Sequence, residues 1–143
     1  MKFMDSYKRL EKLCGDLLNN DGRVKAYIDE MYNTPGGKYV VAGWEADLRQ
    51  LKRYKSIRNQ IAHDPDCNEQ NMCSEKDVQW LDNFYKRIMN QTDPLALYRK
   101  AAKRKKQTAP KKEVRSGMSA GGVVFLITAI ALLAGVAIWL LCR

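Results

Sequence analysis

Arg58, Asn59 and His63 fall in the run Arg58-Asn59-Gln60-Ile61-Ala62-His63, and His63 is the sole histidine of the chain. An imidazole that exchanges a proton near neutrality suits general acid–base work. A guanidinium suits a phosphate, which it grips through paired N–H donors. Between Arg49 and His63 there are five cations (Arg49, Lys52, Arg53, Lys55 and Arg58) and no acid. Such a stretch is what a phosphate backbone would seek; a solvated helix side is the plainer alternative. For His63 the plainer alternative is a structural role. Cys67 and Cys73 follow it, and with a nearby Asp they offer a competing zinc site. The spacing H-x3-C-x5-C lacks the paired C-x2-C knuckle of structural zinc sites, so no metal is expected. No phosphate-binding P-loop, no G-x-S-x-G elbow and no H-E-x-x-H occurs in the chain. Nucleotide hydrolysis, α/β-hydrolase chemistry and zinc proteolysis therefore have no motif behind them.

The elements that must hold these residues read as helices. Leu10, Leu13, Leu17 and Leu18 form an apolar stripe at helical spacing from Asp5 to about Asn19. A turn at Asn19-Asn20-Asp21-Gly22 leads to a second helix carrying Val24, Ile28 and Met31, which stops at Thr34-Pro35-Gly36-Gly37. Lys38 to Gly43 fits either a turn or a short strand around Tyr39-Val40-Val41, although a lone strand has no partner. The motif helix runs from Trp44 to His63, with Leu48, Leu51, Tyr54, Ile57 and Ile61 as its apolar side, and Asp64-Pro65 ends it. At about 100° per residue Arg58 falls at about 320° from Trp44, inside that apolar arc. A guanidinium placed there needs a counter-ion, a ligand or a partner surface. After a polar loop through Met72, Ser74 and Asp77 give a capping-box start to a helix with Val78, Leu81, Phe84 and Ile88. Asp93-Pro94 opens a last helix that runs into the lysines. The expected fold class is all-α: a small four- to five-helix bundle.

The run RNQIAH resembles the R-x4-6-H signature of HEPN domains, in the form with a polar residue directly after the arginine. HEPN domains are small helical bundles with that signature toward the end of a long helix. The resemblance covers roughly residues 1–95, and the soluble part also looks like a bacterial family of HEPN-like proteins with a C-terminal membrane anchor. It implies a metal-independent endoribonuclease without a cofactor, in which a homodimer brings two motif helices to one RNA-binding cleft. Carried over, His63 acts on the 2′-hydroxyl or the leaving 5′-oxygen, Arg58 stabilises charge on the phosphate and Asn59 orients the site. The product is a 2′,3′-cyclic phosphate, and the role that of a toxin or defence enzyme. The alternative is a non-enzymatic dimeric HEPN-like module that recruits a partner to the membrane. Residues five apart lie about 140° apart on one helix, so Arg58 and His63 of one protomer do not converge on a single phosphate. One chain names no cognate antitoxin or regulator.

The remaining sequence concerns place rather than chemistry. The chain has 143 residues and a formal net charge of +9. Over residues 1–98 the 15 Lys and Arg balance the 15 Asp and Glu, whereas residues 99–115 hold nine cations and one acid. The basic character thus belongs to one segment and not to the body. From Ala120 to Cys142 there are 23 residues without a charge; as a helix at about 1.5 Å per residue they exceed a hydrocarbon core of about 30 Å. We expect three parts: a helical domain over 1–98, a basic juxtamembrane segment and linker over 99–119, and a transmembrane helix over 120–142. Only Arg143 follows the span, so the positive-inside rule places the N-terminal domain in the cytosol and the C-terminus outside, a single-pass tail anchor. Lys103, Arg104, Lys105, Lys106, Lys111, Lys112 and Arg115 are then candidates for contact with anionic headgroups. The polar start MKFMDSYKRL and the scattered cysteines point to reduced thiols.

Overall fold

In the computed structural model, residues 2–108 are described. They form seven helical segments: α1 (Phe3–Leu18), α2 (Val24–Asn33), α3 (Gly37–Val40), α4 (Trp44–His63), α5 (Glu69–Met72), α6 (Glu75–Met89) and α7 (Pro94–Thr108). Among the described residues there is no strand. Five helices are long and two are single turns, so the expected helical bundle is the fold observed.

Each long helix buries one stripe. On α1 it is Phe3, Tyr7, Leu10 and Cys14; on α2, Val24, Tyr27, Ile28 and Met31; on α4, Trp44, Leu48, Leu51, Tyr54 and Ile57; on α6, Leu81, Phe84 and Ile88. These spacings of three and four residues put each set on one side of its helix. Burying a Leu or Phe side chain contributes about 1.5 to 3 kcal/mol, so these stripes are what gathers the helices. Helix α1 packs on α6 and α2, α2 on α4, and α3 on α7. Six rings run through the centre in sequence, Tyr7–Phe3–Tyr54–Trp80–Phe84–Tyr27, with neighbouring centroids 4.9 to 6.0 Å apart. They link α1, α4, α6 and α2.

Polar groups fix the ends. Asp93 precedes Pro94 and accepts the Ala96 N–H at 3.2 Å and the buried Tyr27 hydroxyl at 2.6 Å, which ties the start of α7 to α2. Ser74 starts α6, and Asp77 accepts its backbone N–H at 2.8 Å and its hydroxyl at 2.7 Å. Asp47 in the first turn of α4 receives a bidentate grip from Arg87 of α6, at 2.9 and 2.6 Å.

Two local readings are sharpened. The Lys38–Gly43 stretch is no strand. Gly36 and Gly43 adopt φ of 74° and 80°, and between them the chain closes the single turn α3. Gly37 meets the Trp44 ring so closely that a Cβ would lie 2.5 Å from Cζ2, which only glycine allows. The polar stretch before Cys73 contains α5, capped by Asn68, whose side chain accepts the Gln70 and Asn71 N–H groups at 3.0 and 3.1 Å. Helix α7 runs without a break through Tyr98 and Arg99, so the basic segment begins inside the compact unit of residues 1–109. No helix among the described residues is long and apolar enough to cross a membrane. The stretch 120–142 expected to span one lies outside them, as do residues 109–119 of the basic segment and linker.

Candidate functional site

The helical wheel puts Arg58 inside the apolar arc of α4; in the structure its side chain is half-buried, with 32% exposed. Its counter-ion is Glu11 of α1, whose Oε1 is 3.9 Å from Nε. That distance is an ion pair and not a hydrogen bond, so the buried Nε has no hydrogen-bond partner. Tyr7 lies within the field of both: burial first, then the Glu11 charge, pushes its hydroxyl up, and Arg58 pulls it back. On the outward side, Arg58 donates to Asn59 Oδ1 at 3.2 Å.

Asn59 and His63 are both exposed. His63 is the last residue of α4, and Asp64 closes the helix through its N–H to the Gln60 carbonyl at 2.8 Å. The Asp64 carboxylate accepts the Asp66 N–H at 3.0 Å, a local turn. The chain therefore presents Arg58 toward α1 and His63 at the helix end, with Asn59 beside the guanidinium.

The four cations before Arg58 do not share a face. Lys52 donates to the Tyr32 hydroxyl at 2.8 Å, and with Lys55 and Asn59 it lines a shallow groove against α2. Arg53 points the other way, 3.4 Å from the buried Asp77. Arg49 is exposed and Lys55 half-buried. On α7, Lys103, Arg104, Lys105 and Lys106 are all exposed; Lys111, Lys112 and Arg115 lie outside the described residues.

Among the described residues no three His, Cys, Asp or Glu side chains are grouped to hold a metal. Burial, with the Asp77 and Glu69 charges behind it, pushes the Cys73 thiol up to about 11.

The structure adds residues that α4 alone does not announce. An open groove of about 760 Å³ lies beside α1 and the α1–α2 turn, with Arg58 in its wall together with Lys8, Glu11, Lys12 and Arg23. His63 is not among its lining residues. The available signal was on α1: Lys8, Glu11 and Lys12 at helical spacing mark one polar side. Nothing in the sequence ties that side to residue 58.

The fold and site define a small helical bundle with a polar, partly charged groove beside α1 and the α1–α2 turn. The chain belongs to the family described as "Family of unknown function (DUF6548)", whose model matches residues 1–134. No curated protein matches the chain, and no solved structure does.

Proposed function

We propose that the chain is a membrane-tethered HEPN-like domain that binds RNA and cleaves it without a metal, in a toxin or defence role at the cytosolic face. The observation that carries this reading is the exposed His63 closing the same continuous helix on which Asn59 holds the outward edge of Arg58. An exposed imidazole is free to take the 2′-hydroxyl proton or to protonate the departing 5′-oxygen. Attack of the 2′-oxygen on phosphorus then releases the 5′-oxygen and closes a 2′,3′-cyclic phosphate. Arg58 offers charge to the phosphate, and the divergence of Arg58 and His63 on one helix calls for a homodimer that shares a cleft. The family match reaches residue 134, inside the apolar stretch, which supports treating domain and tail as one unit.

One observation favours the second reading, a dimeric HEPN-like module that recruits RNA or a protein without cutting. Glu11 already sits against Arg58, and a guanidinium held by a carboxylate in its own protomer is a structural guanidinium.

Incubation of the full chain in detergent with mixed RNA and EDTA separates the two. The expected result is cleavage with cyclic-phosphate ends, with His63→Ala slower by about 10²- to 10⁴-fold and Arg58→Ala by about 10²- to 10³-fold. Intact RNA beside a folded dimeric parent would favour the module. A folded monomer that leaves RNA intact removes the composite site altogether.

A further inference from the structure

The groove beside α1 and the α1–α2 turn has properties that the motif does not account for. Its wall carries four cations, Lys8, Lys12, Arg23 and Arg58, and three carboxylates, Glu11, Asp16 and Asp21. Glu11 is engaged with Arg58, and Arg58 still keeps a buried Nε without a hydrogen-bond partner. Arg23 adopts φ 52° and ψ −122°, a conformation that favours glycine, and its side chain lies along Gly15, where a Cβ would stand 3.5 Å from Cγ. Non-glycine residues are kept in such conformations where something other than local stability is served. The α1–α2 turn thus spends backbone strain to set a guanidinium on the same groove as Arg58.

We infer that this groove binds a nucleotide unit, its phosphate between Arg58 and Arg23 and its donor groups toward Asp16 and Asp21. A bare anion would meet three carboxylates. A nucleotide meets both signs: its phosphate oxygens accept from guanidinium and ammonium groups, and its ribose hydroxyls and base amines donate to carboxylates. The volume of about 760 Å³ lies in the range of small-molecule sites. On binding, the terminal N–H groups of Arg58 meet the phosphate, while its buried Nε stays beside Glu11. Lys8 and Lys12, one helical turn apart on α1, extend the cationic path along the groove.

The nucleotide has two sources. As one unit of an RNA strand it deepens the proposed function and rests on it; as a free mononucleotide it stands without it. Binding of the full chain in detergent is measured with adenosine monophosphate and with a twelve-residue single-stranded oligoribonucleotide, for the parent, Arg23→Ala and the Lys8→Ala/Lys12→Ala pair. Alanine at position 23 inherits the same φ, and alanine on an exposed α1 face favours helix, so both variants fold. Lys86→Ala, an exposed charge on α6, controls for net charge. Both groove variants are expected to weaken binding about tenfold or more, and to lower the salt slope for the strand by about 0.7 per lost phosphate contact. Loss on the mononucleotide alone assigns the free ligand; loss on both assigns the strand. Affinity equal in parent and groove variants, or no binding of either probe, overturns the site. RNA cut by the parent with affinity blind to these residues leaves the ribonuclease standing and the groove refuted. Groove-dependent RNA binding without any cleavage does the reverse.

Discussion

Arg58 shows how far residue-level reasoning reaches. Counting 100° per residue placed a guanidinium within an apolar arc and required a counter-ion, a ligand or a partner surface; the structure supplies a counter-ion. The identity of that counter-ion, Glu11, was illegible because it depends on how α1 and α4 pack. Asp77 was read as half of a capping box, and it is one; its further partners, the Tyr54 hydroxyl at 3.0 Å and Arg53, come from another helix and escaped the sequence. Burial pushes its carboxyl up, but the Ser74 and Tyr54 hydrogen bonds and the Arg53 charge outweigh that and hold it below its ordinary value. A depressed carboxyl contributes stability above its unfolded pKa and loses it as pH falls through the lower folded value. Acid unfolding should therefore set in at a higher pH in Arg53→Ala, with circular dichroism as the readout, and Asp77→Asn should lose this part of the pH dependence. At Arg23 the expected outcome has the opposite sign: Arg23→Gly relieves the strained backbone and stabilises the domain by about 1 kcal/mol in denaturant melts, while the inferred nucleotide affinity falls.

At the scale of elements, helices with strong periodicity were legible to within a residue or two. Helix α4 spans Trp44–His63 as its apolar spacing and the Asp64-Pro65 stop predicted. The single turns were not, because four residues carry no period to read. Helix α5 is announced only by Asn68 and its cap, and α3 only by the positive-φ glycines Gly36 and Gly43 on either side and by Gly37, which lies against the Trp44 ring. Trp44 is almost fully buried and cannot swing away. Gly37→Ala should destabilise the domain by about 1 to 3 kcal/mol through overpacking, whereas alanine at exposed Lys38 should leave the melting temperature unchanged. Thermal melts of the two variants side by side check both statements.

At the scale of the molecule, the division between a neutral body and a basic segment was visible in the charge count alone. What the count could not show is that the division falls within a helix: Arg99 to Lys106 continue α7. The exposed lysines and arginine from Lys103 to Lys106 therefore leave the bundle on a stiff rod rather than a loose strand. Full-length protein should float with vesicles containing anionic lipid. Replacing Lys103, Arg104, Lys105 and Lys106 by glutamine should weaken the electrostatic part of that association by about 1 kcal/mol per charge. Neutral vesicles should not distinguish parent from variant.

The ring sequence through the core has an optical consequence. Tyr54 stands 5.3 Å from Trp80, and Phe84 lies flat against the indole at 4.9 Å. Light absorbed by the neighbouring tyrosines passes to Trp80, so its emission samples α1, α2, α4 and α6 together. Trp44, 6.1 Å from Tyr98, samples the seam between α4 and α7. The domain thus carries two chromophores that report on different joints, and replacing either with phenylalanine leaves the other as a probe. Whether α7 detaches before the core melts is then a matter of which emission changes first.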